Sequence, residues 1–213
     1  YELVDKEKWE NEVRPAYISW DKRQGDYDTY LLKMVDIYME AIIGTGEEHI
    51  KHIARKVIEQ KGDRVYTFTR ERIKWHKEQG HIVIAISGSP LELVKEMSEK
   101  YHMDDYRGTI YKLDENGKYN GEVVPMWDSD SKQKAINELV EKHDIDLSKS
   151  YAYGDTSGDY TMFKSVGCPF AINPTKELLG KIKNDESLKD KINLIVERKD
   201  VTYKLDMNSI EII

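Results

Sequence analysis

The chain has 213 residues, of which 39% are hydrophobic and 34% are charged. This length fits one domain, or a core domain with a smaller insert. Its 33 Lys and Arg residues against 40 Asp and Glu residues give a formal net charge of −7, and such a chain is a poor general binder of nucleic acid because phosphates repel it.

The single cysteine, Cys168, cannot form an internal disulfide, which fits a reducing, cytoplasmic compartment. No apolar run approaches the roughly 20 residues that span a bilayer. The first residues are charged and do not resemble a signal peptide. We therefore predict a cytoplasmic protein without a membrane partner. Because the chain does not begin with Met, we also expect a longer natural N-terminus.

Residues 1–77 predict a helical domain. Apolar residues at helical spacing predict one helix before Gly44 and another after it. A third predicted helix is closed by Gly80. The first apolar stripe consists of Leu31, Met34, Val35, Tyr38 and Ile42.

After Gly80, predicted strands and helices alternate, which indicates an α/β domain with an open, mostly parallel sheet over residues 78–213. The run HIVIAIS, residues 81–87, is typical of a strand that is buried on both faces. Residues 109–124 predict a hairpin with Asn116 and Gly117 at its turn. Ligands of such sheets bind beyond the carboxyl ends of the strands.

Two serines follow the first predicted strand, and we assign them different roles. Ser89 is predicted to be the N-cap of the next helix, with Pro90 in the first turn and Glu92 closing a capping box. Ser87 ends the strand, and Gly88 lets the backbone approach a ligand closely. A hydroxyl and free N–H groups at a helix start form a phosphate cradle. The alternative is that Ser87 only satisfies a turn.

Three further polar residues belong to the same predicted crevice. Asp155 ends the predicted strand SYAYGD, although Asp is depleted in strands. Asp159 follows four residues later, and it could instead cap a helix together with Thr156. Lys132 opens the preceding helix, where a solvated surface position is the alternative. Two carboxylates close to a phosphate suit a hard cation such as Mg²⁺.

These residues, in this order, resemble the haloacid dehalogenase superfamily of phosphohydrolases, in its phosphoserine-phosphatase-like branch, subfamily IB. The stretch IVIAISGSP, which contains Ser87, resembles the second motif of that family. Lys132 resembles the third-motif lysine, and GDTSGDYTMF resembles the fourth motif. The stretch VERKD near Arg198 is similar to the closing segment. The resemblance covers about residues 65–204.

The resemblance implies a haloacid-dehalogenase-like Rossmannoid core with a parallel sheet over 78–213 and a helical, C1-type cap over 1–77. It implies a magnesium-dependent hydrolase that acts on a small phosphorylated metabolite through an aspartyl-phosphate. Asp155 and Asp159 would form the metal site, and Asp159 would also orient Lys132. Ser87, Gly88 and Lys132 would hold the phosphoryl group.

The first motif of the family, a strand that ends in Asp-x-Asp-x-Thr or Asp-x-Asp-x-Val, is not found in the chain. Its nucleophile is expected before Tyr1. The stretch KLDMNSI at Asp206 is the best substitute, but it lies at the wrong end of the chain and lacks a strong strand before it. We therefore expect the chain as it stands to be inactive. The alternative is a catalytically inactive homologue with a phosphate-binding or regulatory role.

The predicted cap departs from the phosphoserine phosphatase branch. Its central helix contains Lys33 but no arginine for a substrate carboxylate, which argues against phosphoserine as the substrate. Trp20, Tyr27 and Tyr30 could line an aromatic pocket for a different phosphomonoester. Trp127 is predicted to lie in the core or along the cleft.

Overall fold

A computed structural model of the chain describes residues 4–211, so the ends of the predicted domains at residues 1 and 213 lie outside it. The chain divides into two compact units. The first comprises Ile110–Val124 and the described part of Tyr1–Glu59. The second comprises Gln60–Thr109 and the described part of Pro125–Ile213. Between residues 4 and 211, no helix combines the length and the hydropathy that a membrane crossing requires.

The first unit is mainly helical, as predicted. Asp26 begins its longest helix, because the Asp26 carboxylate accepts the backbone N–H of Thr29 at 2.7 Å. Gly44 follows the end of that helix with a φ of +75°, which glycine adopts without strain. The helices with most of their residues in this unit are α1 (Lys6–Lys8), α2 (Arg14–Asp21), α3 (Tyr27–Ile42) and α4 (Glu47–Lys61), and a π-helical turn, Trp9–Val13, joins the first two.

The predicted hairpin is confirmed, but it belongs to the first unit and not to the α/β unit. Strand β2 (Asp105–Leu113) pairs antiparallel with β3 (Tyr119–Val124). The backbone of Tyr119 bonds to the connection between α3 and α4, since Gly44 donates its N–H to Tyr119 and Tyr119 donates to Thr45. The aromatic rings of the hairpin then pack with buried isoleucines of the two helices. The role of the helical part as a substrate cap stays a prediction.

The second unit contains the alternating strands and helices. Its first helix, α5, falls here although most of its residues lie within the predicted helical domain 1–77. The elements are α5 (Thr67–Glu78), β1 (Ile84–Pro90), α6 (Leu91–Lys100), the first part of β2, α7 (Ser129–His143), β4 (Tyr151–Gly154), α8 (Tyr160–Ser165), β5 (Cys168–Ile172), α9 (Lys176–Lys183), α10 (Glu186–Lys189), β6 (Asn193–Arg198) and β7 (Val201–Leu205).

The strand pairing confirms an α/β fold with mostly parallel strands. Strand β1 pairs in parallel with the start of β2. Strands β4, β5 and β6 pair in parallel in that order, and β7 adds an antiparallel edge. Within residues 4–211, β1 and β4 each have only one strand partner. Each of the two ladders therefore has an open edge within the described residues. In one it is β1, which carries Ser87, and in the other it is β4, which ends one residue before Asp155.

Strand β1 is less buried than its sequence predicts. A run of β-branched residues indicates burial on both faces, but Ile84, Ala85 and Ile86 are only half-buried and Ile82 is 49% exposed. The prediction of a fully buried strand is therefore wrong for this structure. The reason is that the described residues pair with β1 along one edge only.

The main core of the second unit lies between the sheet and helices α8 to α10. Phe163, Leu178, Ile182 and Leu188 of these helices are fully buried. They pack in one cluster with residues of β4, β5 and β6. Each such side chain stabilises the fold by roughly 1.5–3 kcal/mol through burial.

The C-terminal end of α7 is anchored by a buried carboxylate at the start of β2. Asp105 accepts hydrogen bonds from Lys142 Nζ at 2.8 Å and from His143 Nε2 at 2.7 Å. It also accepts one from Arg107 at 2.9 Å. Burial alone would raise the pKa of this carboxyl, but these donors hold the pKa well below its usual range. The anchor fixes the direction in which α7 approaches the sheet.

A cluster of aromatic and basic residues connects α5 to β4. His76 is buried, and its Nε2 lies 2.8 Å from the hydroxyl of Tyr153. Its Nδ1 lies 2.9 Å from Nδ1 of His81. Arg72 donates a hydrogen bond to the same tyrosine at 2.9 Å. Its guanidinium carbon lies over the ring of Trp75, 3.9 Å from the ring centroid. Burial, with help from the nearby Arg72 and His81, lowers the pKa of His76 to about 4.

Two glycines allow a matched test of packing. A Cβ on Gly167 would lie 1.9 Å from the carbonyl oxygen of Ser148, whereas a Cβ on Gly180 would meet no atom within 4 Å. We expect Gly167→Ala to destabilise the fold by about 1–3 kcal/mol. We expect Gly180→Ala, inside α9, to be neutral or to stabilise by up to about 1 kcal/mol. Urea unfolding measures both, and equal effects would contradict the packing described.

We expect the neutral His76 to make stability depend on pH. The unfolded histidine takes up a proton near pH 6.5 and the folded one near 4, so the unfolded state binds more protons between these values. The free energy of unfolding should therefore fall as the pH decreases, by about 2 kcal/mol at pH 5 from this group. Denaturant unfolding of wild type and His76→Gln at pH 7 and pH 5 measures the difference, and identical pH dependence would count against it.

Candidate functional site

Ser87 lies in an irregular part of β1. The parallel ladder with β2 is regular over Ile84–Ile86 and shifts register before Pro90. Within this bulge, the Ser87 hydroxyl accepts the N–H of Ser89 at 3.2 Å. Bulges that interrupt a ladder in this way are frequent next to active sites. Ser87 therefore leaves the regular strand one residue beyond Ile86, close to the predicted strand end.

Ser89 does not cap the following helix, so that prediction is wrong. The strand continues to Pro90, which pairs with Thr109. Helix α6 then begins at Leu91, with Pro90 in the N-cap position and no side-chain cap. Because the Ser89 amide bonds to Ser87 and the strand continues past it, the N-cap moves one residue along the chain, from Ser89 to Pro90. The pattern Ser-Pro-x-Glu was a misleading cap signal here.

Lys132 is buried at the start of α7. Asp128 caps this helix by accepting the N–H of Ser131 at 2.8 Å, which places Lys132 in the first turn. Its Nζ lies 2.5 Å from Oδ1 of Asp159, and the two side chains are only 8% and 7% exposed. This position excludes the alternative of a solvated surface lysine. A buried ion pair needs further hydrogen bonds to offset its desolvation.

The second carboxylate oxygen of Asp159 accepts hydrogen bonds of this kind. It accepts the N–H of Asp155 at 3.0 Å and that of Thr156 at 3.2 Å. Thr156 and Asp159 also form a complete capping box. The capping and the charge-pairing interpretations of Asp159 therefore both hold. Gly154 is required here, because a Cβ would lie 2.5 Å from the Asp159 carboxylate.

Asp155 follows the last residue of β4 and is exposed as a residue. Its backbone carbonyl accepts the N–H of Thr175 at 2.8 Å, which fixes the strand end. Desolvation by surrounding protein atoms and repulsion from Asp159 raise the pKa of the Asp155 carboxyl, although Lys132 opposes this. A cation bound to Asp155 would relieve that repulsion.

The backbone of Trp127 connects the two strand ends. A Cβ on Gly88 would lie 3.2 Å from the backbone Cα of Trp127 and 2.9 Å from its Cβ, and a Cβ on Gly158 would lie 2.5 Å from the Trp127 carbonyl oxygen. The Ser129 hydroxyl adds a hydrogen bond to the Ser157 carbonyl at 3.3 Å. Trp127 was predicted only as a core or cleft residue, and this linking role was missed. Gly88, inside β1, and Gly158, in the 3₁₀ turn after β4, were the signal that could have indicated it.

The structure therefore brings Lys132, Asp155 and Asp159 into one hydrogen-bonded group. Ser87 and Gly88 approach that group through Trp127, without a direct bond to it. All of these residues belong to the second unit. The group lies at the carboxyl end of β4, where ligands of α/β sheets bind.

Asp206 does not belong to this group. It directly follows β7, so the prediction that no strong strand precedes it is wrong. That strand escaped notice because only every second residue of it is apolar. Since β7 runs antiparallel to β6, its C-terminal end lies beside the N-terminal ends of the parallel strands. Asp155 lies at their C-terminal ends. Asp206 instead caps a short 3₁₀ turn by accepting the N–H of Asn208.

Three Asp-x-Asp triplets occur in the chain, and none of them directly follows a strand. Asp26 and Asp28 lie at the start of α3, where Asp26 serves as the cap. Asp128 and Asp130 lie at the start of α7, where Asp128 serves as the cap. Asp144 and Asp146 precede the 3₁₀ turn before β4, where Asp146 accepts the N–H of Ser148. All three triplets therefore have structural roles in helix and turn formation.

The donor set fits part of a magnesium site. Residues 4–211 contain no group of three or more His, Cys, Asp or Glu side chains arranged for a metal ion. Magnesium, however, needs only one or two carboxylates in addition to waters and substrate phosphate. Asp155 is an exposed residue that offers a carboxylate, whereas both oxygens of Asp159 are already bonded.

The three aromatic residues of the predicted pocket lie together in the first unit. Trp20 and Tyr30 stack with centroids 5.4 Å apart and planes 7° apart, and Tyr27 packs against Trp20 at 5.5 Å. Trp20 is 38% exposed. Binding of a substrate by this cluster stays a prediction.

Comparison with known proteins identifies relatives of this chain. A protein from Streptomyces azureus, described as an inhibition of morphological differentiation protein, is 29% identical over 168 residues, which cover 78% of this chain and 61% of that protein. A phosphoserine phosphatase from Methanocaldococcus jannaschii is 26% identical over 132 residues, which cover 62% of this chain and 57% of the enzyme. The chain thus spans less than two thirds of the length of either relative.

Solved structures support the fold. A phosphoserine phosphatase determined as a phospho-aspartyl intermediate analogue has a TM-score of 0.56 at 21% identity, with 90% of this chain and 82% of that chain covered. A protein of unknown function from Bordetella pertussis Tohama I has a TM-score of 0.65 at 12% identity, with 84% and 80% covered. A family profile described as haloacid dehalogenase-like hydrolase matches residues 6–164. The chain belongs to the haloacid dehalogenase-like hydrolase family.

Proposed function

We propose that the chain carries the phosphate-binding and metal-binding residues of a magnesium-dependent phosphatase for a small phosphorylated metabolite. One observation supports this most directly. The buried Lys132–Asp159 pair is bonded to the strand end that bears the exposed Asp155. A cation and a carboxylate are thereby held at the edge of the sheet where a phosphate would bind.

Each residue has a proposed role in binding the phosphoryl group. Lys132 directs one N–H to Asp159 and offers its remaining N–H groups to phosphoryl oxygens. The Ser87 hydroxyl and the Gly88 N–H hold another phosphoryl oxygen. Asp155 would hold Mg²⁺, which when bound offsets phosphoryl charge. Asp159 is proposed to act mainly by positioning Lys132 and the backbone of Asp155.

The nucleophile is proposed to lie on a further strand between β1 and β4. Both of these strands have an open edge within residues 4–211, and their ends meet the same Trp127 backbone. A parallel strand that pairs with both would end between Ser87 and Asp155. We place an aspartate there, upstream of Tyr1. Its carboxylate oxygen would form a bond to phosphorus as the substrate P–O bond breaks, and water would then hydrolyse the aspartyl-phosphate.

A cytoplasmic location is also part of the proposal. The chain contains one cysteine, Cys168, which is half-buried and has no disulfide partner. Disulfide-free proteins of this kind suit a reducing compartment. The net charge of −7 disfavours nucleic acid as the substrate.

We expect phosphatase activity to require the upstream strand, magnesium and Asp155 together. The test compares the 213-residue chain with a form extended by the natural upstream codons, using p-nitrophenyl phosphate with and without Mg²⁺. The extended form should hydrolyse it only with Mg²⁺, and Asp155→Ala should lower the rate by about 100-fold or more. The 213-residue chain should show no turnover above background.

Each contrary result has a distinct meaning. Turnover by the 213-residue chain would contradict the proposed upstream nucleophile. An extended form with no strand ending in Asp-x-Asp, no activity and retained phosphate binding would contradict catalysis and support an inactive, phosphate-binding homologue. Activity that survives Asp155→Ala would contradict the assigned metal site.

We expect the Lys132–Asp159 pair to be coupled energetically. Lys132→Met should destabilise the fold by about 3–5 kcal/mol, because it leaves the Asp159 charge buried without a partner. The double variant Lys132→Met/Asp159→Asn should recover part of that loss. Urea unfolding at pH 7 measures the cycle.

A surface pair provides the matched control. Lys181 and Glu177 are exposed one turn apart on α9, with 2.8 Å between Nζ and Oε1. Lys181→Met should change stability by less than about 1 kcal/mol. If Lys132→Met costs no more than Lys181→Met, the Lys132–Asp159 pair does not hold the site together.

A further inference from the structure

Strand β7 is an exposed edge with an apolar stripe. Val201, Tyr203 and Leu205 alternate along it and are 44%, 49% and 38% exposed. Within residues 4–211, β6 is its only strand partner. The strand has no proline, and its pairing with β6 is regular. Proteins usually protect such edges with prolines, bulges or several charges, and β7 has only Lys204.

The hairpin geometry shows which backbone groups of β7 face outward. Arg198 pairs with Val201 across a two-residue turn, and the closing pair of such a turn is hydrogen-bonded. Val201, Tyr203 and Leu205 therefore bond to β6, while Thr202 and Lys204 direct their N–H and C=O groups away from it.

The bonds of β6 agree with this alternation. Glu197 lies opposite Thr202, and it donates its N–H to Asn173 on the far side at 2.9 Å. Thr202 and Glu197 thus turn their backbone groups in opposite directions. The outward groups of β7 form a short row that another strand can pair with.

The sequence of β7 is complementary to itself in one antiparallel register. A two-fold axis at Thr202 would pair Thr202 with the partner's Thr202, with both outward-facing backbone groups in position to bond. It would pair Val201 with the partner's Tyr203 and Asp200 with the partner's Lys204. Thr–Thr, β-branched–aromatic and opposite-charge pairs are all favourable cross-strand pairs.

The neighbouring registers are less favourable. An axis at Tyr203 would place Asp200 opposite the partner's Asp206. An axis at Lys204 would place two lysines opposite each other. Like charges that face each other across strands are destabilising, so charge favours the register at Thr202 over these two.

We propose that two copies of this chain associate through β7, with Thr202 on the two-fold axis and the two four-stranded ladders joined edge to edge. One strand pair buries little surface, so the dimer forms reversibly and at high protein concentration. Strand β7 lies three strand spacings, roughly 14 Å, from β4, so the association leaves the Asp155 edge of the sheet accessible.

Sedimentation velocity on the 213-residue chain over a range of concentrations tests the proposal. The wild type should shift from monomer to dimer as its concentration rises. Thr202→Pro should remain a monomer, because proline removes an outward N–H that β6 does not use. A wild type that stays monomeric up to its solubility limit would overturn the proposal. So would a Thr202→Pro variant that dimerises as well as the wild type, for instance through β1 or β4.

A charge exchange tests the register. Lys204→Glu and Asp200→Lys should each weaken the dimer by roughly tenfold, since each change places like charges opposite each other twice per dimer. The double variant Asp200→Lys/Lys204→Glu should restore it. Lys33→Glu, on an exposed position of α3, is the control for net charge and should leave the dimer intact. Failure of the double variant to recover, or an equal loss with Lys33→Glu, would overturn the register.

Discussion

The carboxylate of Asp159 is the constraint on which the rest of the site depends. One oxygen pairs with Lys132 of α7, and the other accepts backbone N–H groups just beyond β4. A helix, a strand and the loop between β4 and α8 therefore meet at a single buried charge. Since an unpaired charge in this position is costly, the arrangement of these elements is specified by chemistry as well as by packing.

Local patterns predicted the α/β fold and the grouping of Lys132, Asp155 and Asp159, because polar residues next to buried strands are conspicuous in sequence. The predictions were wrong where contacts between residues far apart in sequence determine the local structure. Ser89 carries a good helix-cap signal, but its amide bonds inside the β1 bulge. The β-branched run of β1 indicates burial that only another strand could provide. The hairpin joins the helical unit through backbone bonds to Gly44 and Thr45, which no local pattern encodes.

Trp127 shows that the sequence alone does not identify which residue packs against a glycine. Its importance lies in its backbone, which occupies the space that side chains at Gly88 and Gly158 would need. A glycine in a sequence indicates that something approaches closely, but it does not name the neighbour. The approach of the Ser87 bulge to the Asp155 loop therefore became visible only in three dimensions.

Helix α7 is held by acidic residues of other elements at both ends, by Asp159 at Lys132 and by Asp105 at Lys142 and His143. Because α7 is bonded to other elements near both of its ends, its rotation about its own axis is restrained. The rotamer freedom of Lys132 is consequently lost during folding and not when an anion arrives. An ammonium group that is ordered in advance binds its anion with a smaller entropic penalty.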